Sequence, residues 1–283
     1  MRRTKIVHRT YYNFSAEVSL EPHRLLLMPR SGPGLRVASS TLDVSPAALV
    51  RWQRDAWDNS VAIATFSARA AQLAILSEVV VEQYDDTPLD FYVADHAVQY
   101  PFAYGSDDSV ALQPYLSGAG STRDPILEDW ITQVWRRGQA IQSFTLLQRL
   151  CVTIHRTFAY RSREEPGVQS VPETLRLAAG SCRDFAHLYV EAARSLGFGA
   201  RFVSGYLRAP PSNFDLGATH AWAEVYLPGA GWKGFDPTIG EITGNDHIAV
   251  AVSRQPDSVP PVSGSFVGPP GASLHVGVWV TTL

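Results

Sequence analysis

Cysteine is scarce in this sequence, and no apolar run is long enough to cross a bilayer. Only Cys151 and Cys182 occur among the 283 residues, which excludes a disulfide-stapled secreted scaffold and favours a reducing cytoplasm. No segment reaches the roughly 18 consecutive apolar residues of a membrane helix, so we expect no membrane association. The basic start, MRRTKIVHRTYYNF, has no apolar run behind it and is not expected to be a secretory signal.

An excess of basic charge is also absent. The formal net charge is -3, whereas a general nucleic-acid binder normally carries a basic balance, so we expect no nucleic-acid partner. Charged residues make up 18% of the chain and hydrophobic residues 45%, which excludes a disordered chain and allows a large core. The length of 283 residues predicts two domains, at roughly 100–200 residues per domain.

Residues 1–120 have the pattern of a β-rich domain. Apolar and polar side chains alternate from Ile6 to Phe14, which places every second residue on one face of a strand. Similar runs follow between turn signals, and short strands at this spacing predict an antiparallel, sandwich-like domain. Residues 105–123 are rich in Ser, Asp and Gly and are interpreted as the crossover to a second domain.

Residues 121–283 begin with three predicted helices. An Asp-Pro pair at 124–125 is a helix-start signal, and an apolar stripe predicts a second helix over residues 143–158. A third helix is predicted to start at Ser181 or Cys182 and to end at Gly197, a residue typical of helix C-terminal caps.

Strand-like runs follow the third helix at residues 200–207, 219–227 and 232–236. Helices followed by strands predict an α+β domain with helices packed on an antiparallel sheet. Residues 255–272, rich in Pro, Gly and Ser, are expected to form a long surface loop before a closing strand.

Cys182 stands where a helix start would activate a thiol. The first turn of a helix has unpaired backbone N–H groups and the positive end of the helix dipole, and both favour the reactive thiolate. Phe185 follows three residues later on the buried face, so we expect the sulfur to lie in a cleft between the helix and the sheet.

His220 and Asp236 can meet on the sheet. If the hairpin register pairs Trp222 with Asp236, His220 and Asp236 become diagonal neighbours on one face. A carboxylate that holds an imidazole fixes its tautomer and stabilises the imidazolium, while the other ring nitrogen faces the sulfur. The pattern therefore indicates a thiol nucleophile, a base and an orienting carboxylate.

Other interpretations of these residues stay open. A lone buried cysteine is more often a small hydrophobic residue than a nucleophile, and Cys151 is interpreted as inert core. A metal site built from Cys182, His220 and His247 is an alternative, although no close ligand pair such as Cys-x-x-Cys supports it. We expect no metal and no other cofactor.

Three long strings resemble the transglutaminase-like superfamily, in a bacterial branch whose members are often described as candidate cysteine proteases. They are GSCRDFAHLYVEAARSLGFGARFVSGYL at 180–207, THAWAEVYLPGAGWKGFDPT at 219–238 and DHIAVAVSRQPDSVPPVSG at 246–264. HRTYY at 8–12, LLMPR at 26–30 and DAWDN at 55–59 resemble the β-rich domain that precedes this core. The resemblance covers nearly the whole chain and implies a papain-like core with a triad at Cys182, His220 and Asp236. The family's usual glycine before Asn59 is Asp58 here.

The chemistry that these residues predict is acyl transfer at an amide bond through a Cys182 thioester. The expected substrate is a protein or peptide, and the resemblance favours hydrolysis by a cysteine protease or amidase. Amine transfer by a transglutaminase and a binding protein with a vestigial triad are the alternatives. Trp222 and Tyr160 are candidate substrate-binding residues, with packing beside His220 and core packing as their respective alternatives. The sequence gives no indication of the oligomeric state.

Overall fold

The computed structural model describes residues 1–84, 87–116, 124–163, 165–208 and 219–283. The strands are β1 (Arg2–Leu20), β2 (His23–Leu25), β3 (Leu35–Ser45), β4 (Ala48–Arg54), β5 (Ser60–Phe66), β6 (Arg69–Gln83), β7 (Gln99–Tyr100), β8 (Ile141–Gln142), β9 (Ala159–Tyr160), β10 (Ala179–Gly180), β11 (Ala200–Leu207), β12 (His220–Leu227), β13 (Gly231–Asp236), β14 (Glu241–Ile242), β15 (His247–Ser253), β16 (Val262–Ser263), β17 (Phe266–Val267) and β18 (Ala272–Thr282). The helices are α1 (Asp95–Val98), α2 (Ser106–Leu116), α3 (Pro125–Val134), α4 (Ser143–Thr157), α5 (Val171–Leu177) and α6 (Cys182–Ser195).

Two antiparallel sheets form the N-terminal part of the molecule. One has the strand order β17-β1-β6-β3 with β18 also paired to β1, and the other has the order β16-β2-β5-β4. A cluster that includes Leu25, Ala62, Leu73 and Ile75 joins residues of both sheets. Apolar burial between two sheet faces is what stabilises a sandwich, so the predicted antiparallel sandwich-like domain is confirmed.

A third antiparallel sheet, with the order β14-β13-β12-β11-β15, supports the helices. Helix α6 packs on β12 and β11, and Phe185 and Tyr189 of that helix share a buried cluster with Ala223 and Phe235 of the sheet. Helices on one face of an antiparallel sheet are the predicted α+β arrangement. This packing holds the start of α6 beside the first residue of β12 and the last residue of β13.

Helix ends lie where the local signals predict them. The Asp124 carboxylate accepts a hydrogen bond from the Ile126 N–H at 2.9 Å and caps α3, which begins at Pro125. Helix α6 begins at Cys182, and Gly197 follows its end with φ of 87°, a left-handed conformation that glycine adopts without steric cost.

The predicted crossover and the predicted surface loop both contain regular structure. Residues 106–116 of the expected crossover form α2, in which two aspartates stand in the first turn and Leu112 is buried; residues 117–123 of that crossover lie outside the described residues. Residues 255–272 of the expected loop contain β16 and β17, which pair with β2 and β1. The prediction of a long surface loop was wrong, because two-residue strands depend on distant partners rather than on local composition.

The last strand returns to the first sheet. Strand β18 pairs with β1 from Phe14 opposite Ala272 to Thr4 opposite Thr282, so the C-terminus completes the N-terminal sheet. The division at residue 120 stays a prediction.

Asp58 has φ of 60°, a conformation that glycine tolerates best and aspartate better than most residues, which accounts for the usual glycine there. No helix in the described part of the chain has both the length and the apolar character needed to span a membrane.

Candidate active site

The start of α6 is fixed by a buried carboxylate. Asp184 accepts hydrogen bonds from the backbone N–H and hydroxyl of Ser181, both at 2.8 Å. It also accepts from the Gln169 N–H and from Arg163 Nη1, both at 2.7 Å. Burial raises the pKa of Asp184, but these donors outweigh it and lower the pKa. Asp184 therefore caps the start of α6 and holds Cys182 in the first turn.

A glycine and a short parallel strand pair precede the cysteine. Strands β9 and β10 place Tyr160 opposite Gly180. A Cβ atom on Gly180 would stand 2.8 Å from the Asp184 Cβ, so only glycine lets the chain approach the capping carboxylate this closely. The segment before Cys182 is therefore tied both to the helix cap and to the strand that carries Tyr160.

His220 and Asp236 form a short hydrogen bond. Nε2 of His220 lies 2.6 Å from Oδ2 of Asp236. The last recorded pair of the β12–β13 hairpin is Ala223 opposite Phe235, and one more step of this register places Trp222 opposite Asp236, as hypothesised. The Cys182 side chain lies next to the His220 ring and interacts with it electrostatically. Because Nε2 faces Asp236, the other ring nitrogen, Nδ1, is left for the sulfur.

The charges of this cluster favour an imidazolium. Burial of Asp236 favours its neutral acid, but His220 and His247 outweigh burial and hold the pKa of Asp236 far below its usual range. Burial also lowers the pKa of His220, but Asp236 and the neighbouring Cys182 outweigh it and raise the pKa of His220 to about 10. An imidazolium beside a sulfur can stabilise a thiolate and can later donate a proton.

His247 is a further member of the cluster that the predicted triad lacks. Its Nε2 lies 3.0 Å from the same Oδ2 of Asp236, while the Thr238 N–H donates to Oδ1 at 2.9 Å. Asp236 itself is 0% exposed. The Asp-His pair at 246–247 was a visible signal, but sequence reasoning used His247 only in the metal alternative.

The same three side chains have the spacing of possible metal ligands. Ligand atoms of His220, Asp236 and His247 lie within 4.8 Å of one another, and Cys182 is not part of this group among the residues the structure describes. The metal alternative combined Cys182 with the two histidines, so the observed group differs from it. Hydrogen bonds among these three side chains already satisfy the atoms that face each other.

The structure separates the remaining candidates by exposure. Trp222 is 2% exposed and packs near the His220 and His247 rings, with centroid distances of 6.2 and 5.2 Å. This burial favours the packing interpretation of Trp222 over substrate stacking. Tyr160 is 40% exposed, so a substrate contact by Tyr160 stays a prediction. Cys151 is buried, and burial raises the pKa of its thiol, as expected of inert core.

Comparisons with known proteins match two separate parts of the chain. Residues 4–82 match the bacterial transglutaminase-like N-terminal region, and residues 136–237 match the transglutaminase-like superfamily. An uncharacterized protein of Mycobacterium tuberculosis is 29% identical over 93% of this chain and 87% of its own length. One from Mycobacterium leprae is 27% identical over 100% of both. A crystal structure of a proposed cysteine protease from Cytophaga hutchinsonii has a TM-score of 0.73 and 18% identity, over 100% of this chain and 91% of that one. The last likeness shows the shared fold.

Proposed function

Because the chain belongs to the transglutaminase-like superfamily, we propose that it is a thiol enzyme that transfers acyl groups from amide bonds through Cys182. The observation that carries the proposal is the 2.6 Å hydrogen bond between His220 and Asp236, with Cys182 beside the same imidazole. A nucleophile, a base and a group that orients the base are the three parts that such catalysis needs.

In the proposed reaction, the Cys182 thiolate attacks the carbonyl carbon of an amide. The new C–S bond forms while the carbonyl oxygen takes the negative charge, and the backbone N–H of Cys182 at the helix start is a suitable donor to that oxygen. The His220 imidazolium then donates its proton to the amine nitrogen as the C–N bond breaks. A thioester and a free amine result.

We propose that water resolves the thioester, which makes the protein a cysteine protease or amidase acting on a protein or peptide. His220, now neutral, takes a proton from the attacking water, and the Cys182 thiolate leaves. The family resemblance and the fold shared with the Cytophaga hutchinsonii protein support this choice. Both thiols are free, which fits a reducing compartment such as the cytoplasm.

An activated ester tests the proposal without a known substrate. We expect p-nitrophenyl acetate to give a burst of p-nitrophenolate and an acetyl group on Cys182, detected by mass spectrometry of the protein. We also expect iodoacetamide to alkylate Cys182 at pH 7 about tenfold faster than free cysteine, whose pKa of about 8.5 leaves only a few per cent thiolate.

Two variants serve as controls for this test. Cys182→Ser should lose the burst and the fast alkylation, whereas Cys151→Ser should keep both, because Cys151 is buried and burial raises the pKa of its thiol. Adding methylamine after acetylation distinguishes the two fates of the thioester, since N-methylacetamide forms only if an amine competes with water. A Cys182 that reacts no faster than free cysteine would favour a binding protein with a vestigial triad.

A further inference from the structure

We propose that His247 is a positioning residue for Asp236, and that the N-terminal sheet holds His247 in place. The inference rests on the proposed function, because it assigns a role in the same site to a part of the chain outside the triad. It also gives the N-terminal domain a task in that site.

The tautomer of His247 is set by a turn in the backbone. The Gly244 N–H donates to Nδ1 of His247 at 3.3 Å, and the His247 N–H donates to the Gly244 carbonyl at 2.9 Å. With Nδ1 as an acceptor, a neutral ring carries its proton on Nε2. That proton points at Oδ2 of Asp236, 3.0 Å away, so His247 is arranged as a donor.

This donor acts on the same oxygen that orients His220. Oδ2 accepts from both imidazoles, while Oδ1 accepts from the Thr238 N–H. A fully buried carboxylate is costly unless donors satisfy it, and His247 supplies one of the three. Without this donor, Asp236 would bind a proton more readily and could rotate away from His220.

The N-terminal sheet holds the two residues before His247. Gln83 of β6 donates from Nε2 to the Asn245 carbonyl at 2.7 Å, and Arg2 of β1 pairs with Asp246 at 2.9 Å. Arg2 also donates to Gln83 Oε1 at 3.3 Å. These contacts connect two neighbouring strands of the sheet directly to the turn that carries His247.

Titratable groups reach this cluster from several elements. Those facing Asp236 or its histidines are Cys182 on α6, His220 on β12, Cys151 on α4 and Glu241 on β14. Asp246 precedes His247 in the chain and is paired with Arg2 and Arg208. Glu241 is exposed and lies opposite Asp236 in the β13–β14 pair. A change at His247 leaves all of these groups in the chain, so a shift in the titration of His220 reports the loss of the donor to Asp236.

The test follows the His220 imidazole, which is bonded to the same carboxylate oxygen, by its nitrogen-15 chemical shift between pH 7 and about pH 11. Measuring it in Cys182→Ser removes any dependence on reactivity. We expect His247→Leu to lower the titration midpoint of His220 by about one pH unit, because a carboxylate without this donor is held less firmly against the imidazole. His247→Gln keeps a side-chain N–H and should restore most of the shift, which a merely structural role would not explain.

A second pair of variants tests the role of the N-terminal sheet. Gln83→Leu removes the donor to Asn245 and should move the midpoint in the same direction by a smaller amount. Arg36→Gln is the matched control, because Arg36 lies opposite Glu82 in the β3–β6 pair and forms an exposed salt bridge with it. Circular dichroism at each pH shows whether the variant is folded, and only the folded samples are compared.

The outcomes separate this inference from the proposed function. An identical midpoint in His247→Leu and the parent overturns the positioning role. A shift in His247→Leu without one in Gln83→Leu overturns the role of the sheet. If slow alkylation of Cys182 in the wild type overturned the proposed enzyme, the His220 titration would still measure how His247 holds Asp236 against the imidazole.

Discussion

Asp236 is a charged side chain with no access to water. Removing a charge from water costs several kcal/mol unless partners replace the lost solvation. Here two imidazoles and one backbone N–H converge on the two carboxylate oxygens, so the charge is retained where an isolated buried carboxyl would become neutral. The charge on Asp236 in turn sets the protonation of His220.

Replacing Asp236 by asparagine tests that dependence. The substitution removes the charge that raises the pKa of His220, so His220 should lose its proton at a lower pH and stabilise the Cys182 thiolate less at pH 7. We expect the iodoacetamide rate of Cys182 at pH 7 to fall by about tenfold. The measurement is the rate of alkylation, followed by mass spectrometry of the Cys182 peptide.

Asp43→Asn is a suitable control for that experiment, because Asp43 is exposed on β3, which belongs to the first N-terminal sheet and not to the sheet that carries Asp236. It removes the same charge from the molecule without touching the cluster, and its alkylation rate should match the wild type. An unchanged rate in Asp236→Asn would show that the carboxylate does not govern the reactivity of the sulfur.

At the scale of single elements, the parts of the fold that sequence predicts well are those set by neighbours in the chain. The starts of α3 and α6 follow from capping residues within three positions of each helix start. Alternation in β1 and β12 likewise identifies the faces of each strand from within it. These local signals were enough to place Cys182 at a helix start and His220 on a strand.

The elements and contacts that sequence missed depend on partners far along the chain. Strands β16 and β17 have two residues each and exist because β2 and β1 pair with them. His247 follows Asp236 by only eleven positions, yet β15 pairs with β11 on the far side of β12. No local pattern predicts that strand order, and so the donor role of His247 was not visible before the structure.

Gly205 offers a prediction about β11, an interior strand of the third sheet. It lies opposite His220 in the β11–β12 pair, and a Cβ there would meet the Ile248 carbonyl and stand 2.6 Å from Cη2 of Trp222. Gly205→Ala should therefore lower the free energy of unfolding by about 1–3 kcal/mol, the usual cost of overpacking. Urea denaturation with an unchanged m-value would measure this loss.

Gly105→Ala is the matched control for Gly205→Ala, since nothing lies within 4 Å of a Cβ at Gly105. Its effect should stay within about 0.5 kcal/mol. Equal stabilities of the two variants would contradict the close packing of Trp222 against β11. Slower Cys182 alkylation in Gly205→Ala alone would further show that this packing positions His220.

At the scale of the whole molecule, the N-terminal sheets and the helical part share a buried interface. Ile6 and Val79 of the first sheet belong to one apolar cluster with Cys182 and Ala186 of α6. The Asn59 side chain extends this interface with two hydrogen bonds to the backbone of β15. It donates to the Val252 carbonyl at 2.8 Å and accepts from the Val252 N–H at 2.9 Å. The site is therefore built against the N-terminal part.

His8 is the titratable group at the centre of that interface. Its Nδ1 lies 2.9 Å from the Tyr206 hydroxyl on β11, and its Nε2 lies 3.0 Å from the Thr10 hydroxyl on its own strand. Burial lowers the pKa of His8 to about 4. A proton can bind His8 at ordinary acidic pH only after the interface opens, because the neighbours are hydroxyl groups and no carboxylate compensates the charge.

Acid should therefore weaken the folded state through His8. The unfolded chain binds a proton at this residue near pH 6.5, whereas the folded protein does so only near pH 4, so stability falls as the pH drops through that window. Between pH 7 and pH 4, we expect the wild type to lose roughly 3 kcal/mol more than His8→Gln. Urea denaturation of both proteins at each pH gives the difference, and other titrating groups cancel because the two chains share them. A difference that stays constant from pH 7 to pH 4 would mean that His8 is protonated within the closed interface, and the two parts of the molecule would then hold together in acid.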